Sequence, residues 1–356
     1  MSIFDSFLGK GSCLGVDIGT TSIKIAEISK GKKRPSLLNY GVLETYGHLE
    51  RVNDVIQTSS LKIAEQETAN LLKSLVDKMG VRSREVIASM PAFSSFLTLL
   101  EVPEMSDAET IKAVSFQIRQ HIPLPVTEVS IDWIRGAKHQ DEKGNTTREI
   151  LLISMPNEHI KRYQMIFKLA GLDLVAIELE SLGMVRALTE NDSPPTLIVD
   201  IGAKSTNVVV VDKGFIKHSI QSDFAGSSLT QSIASGLNIN INRAEELKRK
   251  RGVSGAGGEY ELSTLTLPFL GAIINEVRRA RDFYEKNSSS KIEKVILSGG
   301  GANLSGIEKY FEEQLGVPAI VGNPFSKLEY STKMEPFIKE LGPNLSVAIG
   351  LGMKGV

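Results

Sequence analysis

The chain has 356 residues, 41% of them hydrophobic and 23% charged, and a formal net charge of −1, which fits a globular protein with two domains. The near-neutral charge gives no electrostatic reason to expect nucleic-acid binding. The chain has a single cysteine, which excludes a disulfide scaffold, and five histidines without metal-ligand spacing, which argues against a zinc centre. The lack of a bilayer-spanning apolar stretch and of a secretory signal favours the cytoplasm.

The first predicted elements are two strands joined by a tight polar turn. Apolar runs flank this turn within 14–28, a pattern typical of a β-hairpin. A glycine lets backbone N–H groups converge on an anion, and hydroxyl and ammonium groups add further donors, so the turn suits a phosphate. Its candidate ligand-binding residues are Gly19, Thr20, Thr21, Ser22 and Lys24. Asp17 would repel a phosphate, so we expect it to hold Mg²⁺ through water, because Mg²⁺ keeps several waters and takes few carboxylates.

A strand–helix–strand–strand module is predicted at about 86–153, after an amphipathic helix over 62–79. Ser106 and Glu109 have the spacing of a capping box, which predicts that the module's helix begins there and stops by Pro123. The strands of the module are expected over 86–90, 96–102, 129–134 and 149–153.

Residues 197–211 repeat the first hairpin in altered form. When Val16 is aligned with Val199, the Val, Asp, Ile, Gly and Ser of a seven-residue window match, and Asp200 becomes a second candidate for Mg²⁺. The candidate phosphate-binding residues of this turn are Gly202, Lys204, Ser205, Thr206 and Asn207. Two related hairpins indicate a duplicated domain whose turns face one ligand; the alternative is two unrelated hairpins in which Asp and Gly serve only the turn.

A third glycine-rich segment lies late in the chain, between the apolar run 295–297 and a helical pattern. Its glycines leave room for a flat ligand against the backbone. The candidate adenosine-binding residues here are Gly299, Gly300, Gly301 and Asn303. Ser305 and Glu308 have capping-box spacing at the start of the helix, which should end at Gly316. The segment lacks the third small residue of the dinucleotide fingerprint, and the chain has no G-x-x-x-x-G-K-[ST] motif.

Two phosphate hairpins followed by a late glycine-rich loop resemble the actin-like ATPase superfamily. The resemblance implies an α/β fold of two duplicated domains around a nucleotide cleft, with connecting helices at 178–188 and 346–353. The implied division is a first domain at 1–195 with an inserted subdomain at about 86–153, a second domain at 196–345 with a small subdomain at about 226–270, and a return to the first domain at 346–356.

The same resemblance assigns roles to five further positions. Gly226 sits where relatives have a ligand-facing glycine. Glu245 and Lys248, three residues apart on a charged helix, match residues that lie against the ribose and adenine in relatives. Relatives carry Gln, Asp or Glu in the first connecting segment to polarise the attacking water, which implies Glu180 as the catalytic residue and leaves Glu178 as its rival.

The segment 117–133, with Ile-Pro-Leu-Pro at 122–125, narrows the resemblance to the PilM family of type IV pilus assembly proteins. The similarity runs the whole length and implies a scaffold or switch that binds ATP and Mg²⁺, with slow ATPase activity second. It assigns the inserted subdomain to partner binding, with the N-terminal tail of a PilN-like membrane protein in a bordering groove. The protein is expected at the cytoplasmic face of the inner membrane, where it would contact other platform proteins and act in twitching motility. The sequence does not decide whether it forms a homo-oligomer.

The sequence leaves two other functions of the superfamily open. An FtsA-like cell-division protein usually carries a C-terminal amphipathic membrane helix after the last core element, and we expect none here because the chain ends at Val356. A small-molecule kinase needs an acceptor site with a base beside it, and we identify no segment that supplies one. The pilus scaffold is therefore the preferred hypothesis.

Overall fold

The computed structural model describes residues 11–45, 65–106, 109–110, 112–113, 124–140, 144–253 and 260–356. Its strands are β1 (Ser12–Ile18), β2 (Ser22–Ser29), β3 (Ser36–Glu44), β4 (Glu85–Met90), β5 (Phe96–Pro103), β6 (Val129–Gln140), β7 (Thr146–Pro156), β8 (Asp173–Leu179), β9 (Thr196–Ile201), β10 (Thr206–Asp212), β11 (Phe215–Ser222), β12 (Lys294–Ser298) and β13 (Ala319–Val321). Its helices are α1 (Glu65–Met79), α2 (Asn157–Ala170), α3 (Glu180–Leu188), α4 (Gly226–Leu237), α5 (Ile241–Arg251), α6 (Tyr260–Asn287), α7 (Ile307–Leu315) and α8 (Ile338–Lys354). Among these helices, none has the length and apolar character needed to cross a bilayer.

Two five-stranded sheets share one topology. The first sheet has the order β3-β2-β1-β4-β8 and the second has the order β11-β10-β9-β12-β13. In each sheet the central strand is antiparallel to its hairpin partner and parallel to the next strand: β1 pairs with β2 and β4, and β9 pairs with β10 and β12. Both predicted hairpins are therefore confirmed, and the repeated topology shows the duplication.

The helices α3 and α8 join the two halves. A buried hydrophobic cluster takes side chains from both sheets and both helices, including Cys13, Ile87, Met184, Ile198, Val209 and Leu351. The helices cross so closely that a Cβ on Gly350 would lie 1.9 Å from the carbonyl oxygen of Gly183. The small residues of the predicted segment 346–353 therefore permit this crossing, although α8 begins earlier than predicted and α3 begins at Glu180.

A three-stranded antiparallel sheet in the order β5-β7-β6, here called the inserted sheet, interrupts the first half. The strand predicted at 86–90 is present as β4, but it pairs with β1 and β8 in the first sheet, so the inserted sheet begins at Phe96. The capping box is confirmed, because Glu109 Oε2 accepts hydrogen bonds from the backbone N–H of Ser106 at 3.0 Å and from its hydroxyl at 2.6 Å. The predicted segments 62–64 and 117–123 lie outside the described residues.

The helix α6 was not predicted from the sequence. It runs for 28 residues from the small helices α4 and α5 to the second sheet and contains Pro268. A readable signal was present, because buried Leu270, Ile274, Val277 and Tyr284 recur at helical spacing. The proline in the first third of the helix hides this periodicity, since proline normally ends or kinks a helix.

The capping box predicted at Ser305 and Glu308 is wrong. The helix α7 begins after Gly306, which has a φ of 81° and supplies no side-chain cap. The carbonyl of Ser305 accepts a hydrogen bond from Val253 N at 2.8 Å, and Glu308 Oε1 accepts one from Val321 N at 3.2 Å. The Ser305 carbonyl and the Glu308 carboxylate therefore bind backbone N–H groups of distant segments and do not form a capping box.

The close crossing of α3 and α8 gives a stability prediction. We expect Gly350→Ala to lower the free energy of unfolding by about 2 kcal/mol or more, because the new methyl group must push the two helices apart. Gly271→Ala in α6 is the matched control: its Cβ would meet nothing within 4 Å, so the change should stabilise the helix by about 0.5–1 kcal/mol. Urea unfolding followed by circular dichroism measures both; equal stability of the two variants would contradict the close crossing.

Candidate nucleotide-binding site

The two hairpin turns have the same hydrogen-bonded geometry. Gly19 N donates to Ser22 O at 2.9 Å, and Gly202 N donates to Ser205 O at 3.0 Å. Neither glycine has a positive φ. Glycine is favoured at both positions because a side chain would crowd the turn. A Cβ on Gly202 would lie 2.8 Å from the Ser205 carbonyl oxygen, and a Cβ on Gly19 would lie 3.1 Å from the Ser22 carbonyl oxygen. The duplication thus extends to the turns that were predicted to hold phosphates.

Each half has a serine on the strand that pairs in parallel with the aspartate-bearing strand. Ser89 at the end of β4 donates its hydroxyl to Asp17 Oδ1 at 2.7 Å. In the second half, Ser298 at the end of β12 lies directly opposite Asp200 in the strand register, and its hydroxyl donates to Pro343 O at 3.2 Å. The sequence analysis missed both serines; the signal was a serine at the end of the strand that pairs in parallel with each aspartate-bearing strand.

The charges of three carboxyl groups from both halves act on one ammonium group. Lys24 Nζ lies 3.3 Å from Asp17 Oδ2, and Asp17 is 6% exposed. Burial alone would lower the pKa of Lys24, but the charges of Asp17, Asp200 and Glu180 outweigh it and raise that pKa. Burial together with Asp200 and Asp17 raises the pKa of Glu180 to about 8. Burial and Asp17, opposed by Lys24, raise the pKa of Asp200 to about 6. The four groups, here called the acidic cluster, carry more negative than positive charge when all are ionised.

The two candidate glutamates point to different partners. Glu180 is the first residue of α3, and its Oε1 accepts a hydrogen bond from Ala92 N at 3.2 Å. Glu178 lies in β8 instead, where Arg186 Nη2 and Nη1 contact its two carboxylate oxygens at 2.7 and 2.8 Å and Lys354 Nζ lies at 3.0 Å. Burial would raise the pKa of Glu178, but these two cations hold it below its usual value. Of the two, Glu180 faces the acidic cluster.

The predicted ribose and adenine residues lie beside the second turn. Gly226 begins α4, and its N–H donates to Gly202 O at 3.0 Å. On α5, Lys248 Nζ lies 2.6 Å from Glu245 Oε2 and donates to Thr230 Oγ1 at 2.8 Å. Burial lowers the pKa of Lys248 despite this ion pair. The structure therefore brings Gly226, Glu245 and Lys248 together next to the turn at Gly202.

The three glycines of the late loop differ in their surroundings. Gly299 has a φ of 77°, and a Cβ there would lie 2.8 Å from Asp200 Oδ1. A Cβ on Gly301 would clash with Ile201 at 2.3 Å. Gly300 is exposed, and its Cβ would meet only Asn344 Oδ1, at 3.4 Å, so this position alone of the three opens to a ligand. Asn303 is exposed, and its Nδ2 donates to Glu340 O at 3.0 Å.

The other candidates are anchored around the turns. Thr21 O accepts a hydrogen bond from Thr45 N at 2.8 Å, and Thr206 Oγ1 donates to Phe224 O at 2.7 Å. Thr20, Ser22 and Ser205 are partly exposed, and Lys204 is exposed. Backbone and side-chain donors of both turns therefore remain accessible beside the acidic cluster.

The donor set fits a Mg²⁺-nucleotide. In the described part of the chain, no three His, Cys, Asp or Glu side chains stand close enough to hold a metal ion directly. Asn207, opposite Asp200 in the β10–β9 register, is 2% exposed, and its Nδ2 has no hydrogen-bond partner in the described chain. A divalent cation would balance the excess negative charge, and an orphaned amide donor is suited to a phosphate oxygen or a metal-bound water.

Comparison with known proteins places this geometry in a family. The sequence profile described as "Type IV pilus assembly protein PilM" matches residues 15–356. The cell division protein FtsA of Enterococcus faecalis is 22% identical over 372 residues, covering 91% of this chain and 84% of that protein.

Solved structures extend the comparison to the fold. The PilM-PilN type IV pilus biogenesis complex aligns with a TM-score of 0.81 and 24% identity, covering 97% of this chain and 98% of that chain. MreB5 of Spiroplasma citri bound to ADP aligns with a TM-score of 0.54 and 16% identity over 96% of this chain and 95% of that chain. These likenesses confirm the actin-like fold of two duplicated domains.

The acidic cluster predicts how stability depends on pH. For Glu180 and Asp200 the pKa is higher in the folded than in the unfolded protein, so the folded state binds more protons between the two values. We therefore expect the free energy of unfolding, without Mg²⁺ or nucleotide, to fall by a few kcal/mol between about pH 4.5 and pH 8, since one pKa unit corresponds to about 1.4 kcal/mol. Glu180→Gln should reduce this fall and be more stable than wild type at pH 8.

Glu178 supplies the opposite control. Its pKa is lowered by Arg186 and Lys354, so its contribution is present above the unfolded pKa and is lost as the pH falls. Glu178→Gln should therefore be less stable than wild type at pH 8, with a smaller difference at pH 4. Urea titrations at the two pH values measure both variants, and a Glu180→Gln protein that is destabilised at pH 8 would contradict the account of the cluster.

Proposed function

The chain belongs to the family of type IV pilus assembly protein PilM, and on that premise we propose that it is an ATP-binding scaffold of the pilus assembly platform. In this proposal the two halves close on one Mg²⁺-ATP, and the closure changes how the inserted subdomain binds a membrane-protein tail. ATP hydrolysis is slow and secondary. The family match favours pilus assembly over the cell-division and kinase alternatives.

The convergence of Asp17, Asp200 and Glu180 around Lys24 is the observation that carries the proposal. The two aspartates come from equivalent positions of the duplicated hairpins, so a ligand between them touches both halves. The turn N–H groups and Lys24 would bind the phosphates, and the aspartates would hold the waters of Mg²⁺, which neutralises phosphate charge. Glu180 would orient and polarise the attacking water, for which its ionised form is required.

The adenosine part of ATP would lie between the late glycine loop and α5. Gly300 leaves the open space, while Glu245 and Lys248 stand beside the turn at Gly202. The nucleotide-bound MreB5 of Spiroplasma citri, which shares the fold, supports a nucleotide in this chain as well. Asn303 would shape the loop through its hydrogen bond to Glu340 O rather than bind adenine itself.

A direct contact between the inserted sheet and the second half supports coupling of closure to partner binding. Lys217 on β11 contacts both carboxylate oxygens of Glu149 on β7, at 2.5 and 2.6 Å. Phe215 packs against Gly136 at the bulge of β6, where a Cβ would lie 2.7 Å from the ring. Because these pairs join the inserted sheet to the second half, a change in closure would strain or shift the inserted sheet.

We propose the N-terminal cytoplasmic tail of a PilN-like membrane protein as the partner. The solved PilM-PilN complex, which aligns with 97% of this chain, supports this choice. Such a tail would hold the protein at the cytoplasmic face of the inner membrane beside other platform proteins. The proposed domain division is 1–195 and 346–356 for the first domain and 196–345 for the second, with the partner-binding insertion centred on the sheet at 96–156.

Removing either aspartate should weaken nucleotide binding without unfolding the protein. We expect Asp17→Ala and Asp200→Ala each to lower the affinity for Mg²⁺-ATP by about tenfold or more, since each takes a charged group from the Mg²⁺ site. Asp173→Ala, at an exposed position of β8, is the control and should bind as wild type does. Isothermal titration calorimetry measures the affinities; unchanged binding by both site variants would count against the assignment.

Gly300→Val should block the adenosine pocket while leaving the melting temperature nearly unchanged.

Lys217 should transmit the nucleotide state to the partner site. We expect Lys217→Met to bind Mg²⁺-ATP normally and to bind a synthetic PilN-like N-terminal peptide, but to lose most of the roughly fivefold or larger change in peptide affinity that ATP produces in wild type. Lys291→Met, exposed before β12, is the control. Fluorescence anisotropy with and without Mg²⁺-ATP measures the coupling, and a wild-type-like ATP response in Lys217→Met would exclude this contact as the route.

A further inference from the structure

The hydroxyl of Tyr163 is buried without a hydrogen bond. Tyr163 lies on α2, is 7% exposed, and its ring centroid lies 6.3 Å from that of Phe167. In the described part of the chain, no donor or acceptor pairs with the hydroxyl. A buried hydroxyl without a partner destabilises a folded protein, and phenylalanine would fill the same space without that cost. The position therefore carries a polar group that no hydrogen bond within the described chain explains.

Tyr163 shares a hydrophobic cluster with sequence neighbours of the acidic cluster. The ring belongs to the hydrophobic cluster that contains Ile18 and Met90, the residues that directly follow Asp17 and Ser89. Burial, together with the charges of Asp17 and Glu180, raises the pKa of Tyr163, so both carboxyl groups act electrostatically on the hydroxyl. A neutral O–H group can donate a hydrogen bond to a carboxylate or to a water that bridges to it.

Tyr163 also lies on the segment that carries the inserted sheet. The strand β7 ends at Pro156, and α2 begins at Asn157 with no intervening loop. The strand β7 is the central strand of the inserted sheet and bears Glu149, which contacts Lys217 of the second half. Because β7 and α2 are continuous, a displacement of α2 would also move the end of the central strand of that sheet.

We propose that Tyr163 is a positioning residue that senses the nucleotide: when Mg²⁺-ATP occupies the cleft, its hydroxyl donates to the carboxylate of Asp17 or Glu180, or to a water between them, and draws α2 and β7 into the closed arrangement. This inference rests on the proposed function. It adds a second route from the acidic cluster to the inserted sheet, within the first half, beside the contact through Lys217.

The test compares Tyr163→Phe with wild type in two measurements of opposite sign. Without ligand, the melting temperature should be unchanged or higher, because an unpaired hydroxyl is removed. The affinity for Mg²⁺-ATP should fall about fivefold, because the hydrogen bond gained on binding is lost. Tyr284→Phe is the matched control: Tyr284 is also buried, but its hydroxyl donates to Asp212 Oδ2 at 3.1 Å. That variant should have a lower melting temperature and an unchanged affinity.

The outcomes separate this inference from the proposed function. Equal affinity of Tyr163→Phe and wild type overturns the inference alone, and so does a lower melting temperature, which assigns the hydroxyl to the fold. A wild-type protein that does not bind Mg²⁺-ATP overturns the proposed function and the inference with it. Hydrogen exchange gives an independent readout: Mg²⁺-ATP should protect residues 146–156 in wild type and clearly less in Tyr163→Phe at saturating nucleotide, and equal protection overturns the route through α2.

Discussion

The charge balance of the acidic cluster is the constraint on which the rest of the site depends. The charges of Asp17, Asp200 and Glu180 act on Lys24, which contacts Asp17. Burial and mutual repulsion raise the pKa of Glu180 to about 8, and a bound cation would reduce this repulsion. The hydrogen-bonded turns position the two aspartates, and Ser89 donates a hydrogen bond to Asp17. In the proposed function, Mg²⁺-ATP is the ligand that relieves the repulsion and ties the two halves together.

The two halves repeat each other closely, and their differences carry the function. Both have an aspartate at the end of the central strand, a serine on the neighbouring parallel strand and a four-residue turn closed by one hydrogen bond. The residue opposite the aspartate differs, with Lys24 in the first half and Asn207 in the second. Lys24 therefore acts on both aspartates: it contacts Asp17, and its charge opposes the rise in the pKa of Asp200. The first half also carries the inserted sheet, which reaches across to Lys217. In the proposed function, the duplicated frame would hold the nucleotide and the insertion would bind the partner.

Local patterns predicted the fold well where one segment decides the structure. The hairpins follow from apolar runs around a glycine turn, and the box at Ser106 follows from side chains three residues apart. Predictions failed where distant segments form hydrogen bonds that a local pattern does not reveal, as at Ser305, whose carbonyl accepts a hydrogen bond from Val253 N. The sequence could not show which of Glu178 and Glu180 faces the site. The strand β8 ends and the helix α3 begins between them, so their side chains contact different partners. Tyr163 gave no signal, since an aromatic residue on an amphipathic helix is ordinarily part of the core.

The central claim is that both hairpin turns grip a single nucleotide, and a crystal structure with saturating Mg²⁺ and a non-hydrolysable ATP analogue tests it most directly. The account predicts one nucleotide, with its phosphates contacted by backbone N–H groups of the turns at both Gly19 and Gly202 and with Mg²⁺-bound waters on Asp17 and Asp200. A nucleotide that contacts only one half, or a cleft that stays empty at saturating analogue, would contradict it.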